Sequence, residues 1–249
     1  MKIIKTDQEI EIMKKSGKIC SLALKKTLES VKPGVKIIDL DKIATEEIKK
    51  NKAELSFTTV EDYKWATCIT VNEQIVHGIP TKRELKEGDV LSIDVGAFFK
   101  GFHSDMAITV PVGSVSDDKK KFIEVGKKTL EEAIKMAKPG NYLGDISSTI
   151  QKNIEGEGYS IVKNLTGHGV GKELHEEPMV PGFGKPKTGM KIESNMTIAI
   201  EVIYAEKSGN AIMEKDEWTI STEDGGLGGL FEKTIAIGKK SPIVLTPYL

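Results

Sequence analysis

The sequence predicts an α+β domain in which a pseudo-twofold antiparallel sheet is covered by helices on its outer face. Three features of the chain lead there. A helix, a Lys-Pro-Gly stop and a second helix occur near the start and again in the middle. The strands after each helix pair follow one another without the βαβ alternation that a parallel sheet needs. Those strands also alternate aliphatic residues with small or acidic ones, the period-two pattern of a sheet with two unlike faces.

Thr6-Asp7-Gln8-Glu9 is a capping box, and behind it Ile10, Met13, Gly17, Cys20, Leu24 and Val31 recur at helical spacing up to Lys32-Pro33-Gly34. A second helix has Leu40, Ile43, Ala44 and Ile48 as its buried stripe. Strands are expected at about 67–76, 89–99 and 104–112. A third helix starts near Ser116, carries Phe122, Val125, Thr129, Ala133 and Met136, and stops at Lys138-Pro139-Gly140. A fourth is marked by Ile146, Ile150 and Ile154, and further strands are expected at about 160–165, 195–206, 216–222 and 231–237. A shift of 106 positions sets Pro33-Gly34 on Pro139-Gly140 and Asp39-Leu40 on Asp145-Ile146. Chance can repeat so cheap a pattern, but its recurrence in order favours an internal duplication. No linker or low-complexity segment intervenes, so residues 1–249 read as one domain with halves of about 1–112 and 113–249.

Lys and Arg total 36 against 37 Asp and Glu, a net charge of -1, so bulk charge makes no case for a nucleic-acid binder. No apolar run approaches the ~18 residues of a membrane helix. The basic start, Met1 to Lys5, leads into the capping box without an apolar segment, so no signal peptide is expected. Cys20 and Cys68 form no CxxC pair and suit a reducing compartment. A cytoplasmic enzyme or binding domain is the expectation.

Strand parity is the most informative signal. In Leu91–Gly96 the aliphatic residues share one face, and Ser92, Asp94 and Gly96 share the other. Asp105 falls with Ala107 and Thr109, Glu201 with Thr197 and Ala199, and Glu232 with Thr234 and Ala236. For any single acid, the outer face of a one-sided sheet would suffice. Four mid-strand acids beside Ala, Gly and Thr, with almost no bases, fit that poorly, because such a cluster repels itself unless protons or cations neutralise it. Of the four histidines, His168 in Gly167-His168-Gly169-Val170-Gly171 is the best ligand candidate. His77 and His175 read as catalytic or supporting groups, and His103 as structural. Four carboxylates with one imidazole make an oxygen-rich site suited to Mn, Fe(II), Co or Zn, and no HExxH motif occurs.

These residues together resemble the methionine aminopeptidases, specifically the shorter type I enzymes. The matching stretches are Cys68 to Glu73, Val76-His77-Gly78-Ile79-Pro80, Asp94-Val95-Gly96, His103-Ser104-Asp105, Thr166 to Gly171, His175-Glu176-Glu177-Pro178, Ile200-Glu201, Trp218-Thr219 and Phe231-Glu232. They run in order over nearly the whole chain. The resemblance implies the pita-bread fold, with Asp94, Asp105, His168, Glu201 and Glu232 holding two divalent ions. In that pattern Asp105 and Glu232 bridge the ions, Asp94 completes one coordination sphere, and His168 and Glu201 complete the other. It further implies a hydrolase that removes the initiator methionine from nascent proteins when the second residue is small, using a metal-activated hydroxide. Glu201 would be the general base, while His175 and His77 would contact the scissile peptide. Cys68 and Trp218 would line the methionine pocket, each having an alternative as an ordinary core residue. By that rule the protein would keep its own Met1, since Lys2 is large.

The chain departs from the family pattern at Leu174, where Phe is common, at Lys233, where His is usual, at Gly228-Gly229, and over Glu54–Trp65. Phe57, Tyr63 and Trp65 are candidates for the missing aromatic surface. A proline-specific aminopeptidase or dipeptidase shares the ligands but typically has an extra N-terminal domain, and the first helix here starts near residue 6. A non-catalytic binding protein of this fold would have lost ligands. A monomer is expected, with Lys119-Lys120-Lys121 as a candidate electrostatic contact for the ribosome; lysine runs are more often solvated helix surface.

Overall fold

The computed structural model describes residues 3–249. Met1 and Lys2, on which the readings of the basic start and of Met1 retention fall, lie outside the described residues. Helix α1 (Asp7–Leu28) begins at the expected box: Thr6 Oγ1 accepts the Glu9 N–H at 3.2 Å, and Glu9 Oε2 accepts the Thr6 N–H at 2.7 Å. It ends before Lys32-Pro33, so Val31 packs on the core from outside the helix. Helix α2 (Ile37–Lys50), strand β1 (Glu54–Leu55), a single 3-10 turn at Phe57–Thr59, and strands β2 (Thr67–Val71), β3 (Gln74–Val76), β4 (Val90–Phe99) and β5 (Phe102–Pro111) complete the first half. The second half repeats the helix pair as α3 (Asp117–Met136), capped by Ser116, and α4 (Leu143–Gly156). Strands β6 (Ser160–Ile161), β7 (Thr166–Gly169), β8 (Glu176–Pro181), β9 (Thr197–Ala205), β10 (Ala211–Met213), β11 (Ile220–Thr222), β12 (Gly228–Ile237) and β13 (Pro242–Val244) follow.

The main sheet is antiparallel in the order β1-β4-β5-β12-β9-β7-β8, with β2 on β4, β6 on β9 and β13 on β12. The halves meet where β12 lies against β5, with Glu232 opposite Ala107 and Lys233 opposite Met106. A small sheet, β10-β11-β3, joins them a second time. The aliphatic faces read from strand parity pack on the helices as two clusters. One sets Cys20, Leu24, Leu40 and Ile48 of α1 and α2 against Ile69, Leu91, Ile93, Val95 and Met106. The other sets Phe122, Leu130, Ile146 and Ile150 of α3 and α4 against Ile198, Ile200, Val202, Tyr204 and Phe231. Both helix pairs therefore cover one side of the sheet and leave its acidic side free of them. Among the described residues no helix is long and apolar enough to cross a membrane.

Several boundaries differ from expectation. The strand read as 67–76 is two strands in different sheets, β2 on β4 and β3 on β11, parted where Asn72 turns at φ +57°. Its side-chain carbonyl accepts the Val90 N–H at 2.9 Å and its amide donates to Asp89 at 2.9 Å, so one residue closes the corner. Strand β12 begins at Gly228, not near 231, and Gly229 leaves room for Tyr204, whose ring would lie 2.4 Å from a Cβ placed there. Only Ile220–Thr222 of the expected 216–222 is strand, because Asp216 accepts the N–H groups of Trp218 and Thr219 and winds that stretch into a turn.

Leu40 and Ile146 are each fully buried, in different clusters. Leu40→Ala and Ile146→Ala should each cost about 2–5 kcal/mol by urea unfolding. The double variant should lose their sum within about 0.5 kcal/mol; a strongly non-additive result would mean the clusters respond as one core.

Candidate metal centre

Strand register gathers the acids into two adjacent rows across the sheet. One row runs Cys68, Asp94, Ala107, Glu232, Glu201 through β2, β4, β5, β12 and β9. The next, two residues along each strand, runs Gly96, Asp105, Thr234, Ala199, His168. A step of two keeps both rows on one face, and a strand spacing of ~4.7–4.9 Å brings carboxylates on neighbouring strands to a common centre. Ala107 and Ala199 stand between the acids and His168 and leave that centre open, whereas Gly96 makes room for Ser56 and Phe57. At the junction of the halves a threonine replaces part of the ladder. Thr234 Oγ1 accepts the Asp105 N–H at 2.9 Å and donates to the Asp105 carbonyl at 2.8 Å.

His168 reaches the rows from β7, which is squeezed between β8 and β9. A Cβ on Gly167 would lie 2.5 Å from the Ala199 carbonyl oxygen, and one on Gly169 would lie 2.2 Å from that of Glu177. The glycines flanking His168 are therefore demanded by backbone approach. Its Nδ1 is 2.9 Å from the Gly169 carbonyl and donates there, which leaves the Nε2 lone pair directed at Glu201 Oε1, 3.5 Å away, and Glu232 Oε1, 4.0 Å away.

Burial is the first cause of every shift in this cluster. It raises Asp94, Glu201 and Glu232 well above the usual carboxylate range, with neighbouring acids adding to the effect, and pushes Asp105 up to about 7. It lowers His168 to about 4, helped by the nearby His175. Asp94 Oδ1, Asp105 Oδ1 and Glu232 Oε1 are buried without a hydrogen-bond partner. A buried acceptor left bare costs about 1–3 kcal/mol, more for a charged group. Ligand atoms of Asp105, His168 and Glu232 all lie within 4.8 Å of one another. Bare oxygens, a neutral imidazole turned towards carboxylates, and close mutual distances fit divalent cations that accept oxygen and imidazole ligands.

Asp94, Asp105, His168, Glu201 and Glu232 line one cavity of about 140 Å³ together with His77, His175, Cys68 and Trp218. His175 stands 4.5 Å from His168, ring edge to face, and His77 occupies a left-handed turn at φ +58° at the end of β3. The opposite wall is apolar: Phe57, Val60, Tyr63, Cys68, Leu174 and Trp218. Tyr63 organises it, with its hydroxyl donating to the Thr67 carbonyl at 2.8 Å and its ring 6.3 Å from Phe57 and 5.0 Å from Trp218. Trp65 supports Tyr63 at 5.2 Å but is not itself on the wall. Val60, also on the wall, was missed because it sits in an irregular segment without periodicity.

His103 keeps its structural reading, buried away from the cavity with Nδ1 2.8 Å from Ser56 Oγ and its ring against Phe98. Lys233 lies on the opposite face from Glu232, its ammonium 3.7 Å from the centre of the Tyr248 ring. Lys119, Lys120 and Lys121 each have an intrachain partner, in the Gly88 carbonyl, Asp117 and Glu157.

An oxygen-rich metal centre on this pseudo-twofold sheet, beside an apolar pocket for one residue, defines a metallopeptidase of the pita-bread fold. Residues 11–239 match the profile of metallopeptidase family M24, and the chain belongs to that family. Its relatives include methionine aminopeptidase 1 of Bacillus subtilis, 42% identical over 246 residues and 99% of both chains. The methionine aminopeptidase of Clostridium perfringens is 41% identical, again over 99% of both chains. Among solved structures, the methionine aminopeptidase of Thermotoga maritima aligns with a TM-score of 0.97 at 41% identity, covering 99% of each chain. The prolidase of Pyrococcus furiosus shares the architecture at a TM-score of 0.79 and 25% identity, but this chain covers only 65% of it.

The shifts make stability without metal depend on pH. A carboxyl raised by folding contributes stability below its unfolded pKa and loses it as pH rises through the folded value. Histidines lowered by folding act oppositely, but they are neutral in both states above about pH 7. From pH 7 to 9 the carboxyl effect remains, joined towards pH 9 by the thiols of Cys20 and Cys68, which burial also pushes up, so the metal-free protein should melt at progressively lower temperature. Saturating Mn should flatten that slope, as calorimetry with and without chelator would show.

Proposed function

We propose that this protein is a metalloaminopeptidase that removes N-terminal methionine from newly made chains whose second residue is small. The observation behind this reading is the junction of the two carboxylate rows with an apolar cavity sized for one residue. Identity of 41–42% to methionine aminopeptidases over 99% of the chain supports it. The site of action would be the cytoplasm, where nascent chains emerge, with the protein working as a monomer and any ribosome contact transient. Intrachain pairing of Lys119–Lys121 weakens the case for that run as the contact.

Asp94, Asp105, His168, Glu201 and Glu232 would hold two divalent ions, of Mn, Fe(II), Co or Zn, which supply Lewis acidity and make a water acidic enough to attack at neutral pH. Glu201, at the edge of the acid row and 3.5 Å from His168, accepts the proton of the attacking water and returns it to the departing amine. His175 donates to the scissile carbonyl oxygen as charge grows on it. His77, also lining the cavity, contacts the peptide nitrogen. The methionine side chain lies against Tyr63, Cys68, Leu174 and Trp218, where a thioether gains favourable contact with aromatic rings. The partly open cavity, about 140 Å³, would take the terminal residue, in keeping with trimming of the chain from its end.

Mass spectrometry of Met-Ala-Ser should show no free methionine with chelated protein and rapid release once Mn or Co is restored. Cleavage of Xaa-Pro peptides in preference to Met-Ala-Ser would reassign the enzyme to the proline-specific group. Glu201→Gln should abolish turnover while leaving the melting profile cooperative. Activity within a few-fold of wild type would rule out Glu201 as the base.

A further inference from the structure

We propose that Lys5 is a positioning residue for His175, acting through the carboxylate of Glu176; the inference rests on the reading of His175 given under the proposed function. Lys5 Nζ donates to Glu176 Oε2 at 2.7 Å, and the two side chains are only 3% and 4% exposed. Glu176 directly follows His175 at the start of β8, so the two side chains leave the backbone on opposite faces, His175 to the cavity and Glu176 to the interior behind it. The second oxygen, Oε1, accepts the N–H of Lys172 at 2.7 Å and that of Glu173 at 3.2 Å. One carboxylate thus holds the turn that presents both Leu174 and His175, and Lys5 holds the carboxylate.

Apart from Glu176, the turn is held by one internal bond, in which the Gly171 N–H donates to the Glu173 carbonyl at 3.0 Å, and by bonds at its start. Val170 exchanges hydrogen bonds with Thr197, and the Gly171 carbonyl accepts the His103 N–H at 2.7 Å. The N–H groups of Lys172 and Glu173, the two residues after Gly171, both point to the Glu176 carboxylate. Lys5 is itself set from outside the turn: its N–H donates to the Asn195 carbonyl at 2.8 Å, and its carbonyl accepts from the Asn195 side chain at 3.1 Å. Gly171 provides the passage, since a Cβ there would lie 2.4 Å from Lys5 Cε and 2.7 Å from Glu176 Oε1. A buried ion pair adds little net stability over an apolar pair, but it fixes direction. Here the direction fixed is that of a catalytic imidazole, for which small misplacement is costly in rate.

The test is a mutant cycle on metal-loaded enzyme, with methionine release from Met-Ala-Ser read as kcat and KM for wild type, Lys5→Met, His175→Ala and the double variant. Lys5→Met should lower kcat about 10-fold with KM within about 2-fold. In the His175→Ala background the same change should leave kcat within about 2-fold, because the group being positioned is gone. An additive loss in that background, or an unchanged kcat in the single variant, overturns the proposal. If Lys5→Met does not fold, Lys5→Met/Glu176→Gln, which buries no unpaired charge, replaces it in the cycle. Failure of that variant to fold also overturns the proposal, since the pair would then be holding the fold. Absence of methionine release by wild type would instead overturn the reading of function, whereas an additive cycle on an active enzyme removes only the role of Lys5.

Discussion

The structure depends on the mutual repulsion of buried carboxylates. Asp94, Asp105, Glu201 and Glu232 crowd one face of a sheet, with burial and neighbouring charge opposing their ionisation. Nothing within hydrogen-bond reach satisfies one oxygen each of Asp94, Asp105 and Glu232. Such a cluster is unfavourable to fold around unless protons or cations neutralise it, and its bare oxygens suit a divalent cation. The surroundings follow from that requirement. Small residues separate the acids, glycines admit the strand bearing His168, and two independently packed cores stiffen the sheet from behind.

Much of this was legible before any coordinates. Period two alone assigned all four acids to one face, because each lies in a strand whose other face is continuous aliphatic residues. The packing of Ile93, Val95, Ile200 and Phe231 on helices bears that out. The four helices were legible from capping residues and periodicity. Strand β7 was not, since Thr166-Gly167-His168-Gly169 has neither β-branched apolar residues nor alternation. It is a strand because β8 and β9 bracket it. The apolar wall was legible only in part. Cys68 lies on a regular strand, whereas Phe57, Val60 and Tyr63 come from an irregular segment whose shape is set by contacts among its own rings. Lys233 looked like a departure with consequences for the site, but parity places it on the far face, where it meets Tyr248.

The seam between the halves shows how the two carboxylate rows are kept in step. Between β5 and β12 threonine hydroxyls stand where backbone bonds would otherwise run. Thr109 Oγ1 donates to the Leu230 carbonyl at 2.8 Å and accepts the Leu230 N–H at 2.9 Å. Thr234 does the same with Asp105 from the other strand. The pairs Asp105 with Thr234 and Thr109 with Leu230 lie symmetrically about the central pairing of β5 and β12, so the seam repeats the twofold relation of the halves. The last residues of the chain complete it: Thr246 Oγ1 accepts the Thr234 N–H at 2.9 Å, and the Tyr248 hydroxyl donates to the Ala107 carbonyl at 2.8 Å.

That seam explains why the metal centre and the fold are energetically one object. Asp94 and Asp105 belong to the first half, while His168, Glu201 and Glu232 belong to the second, so neither half alone would offer more than part of the proposed ligand set. A hydroxyl-mediated junction is adjustable by small rotations in a way that a continuous ladder is not. Asp105 and Glu232, which would both help to hold a divalent ion, stand on the same two strands that the threonines join. Binding free energy at such a centre would therefore appear as cohesion between the halves, and carboxylate repulsion would act to part them along the same line.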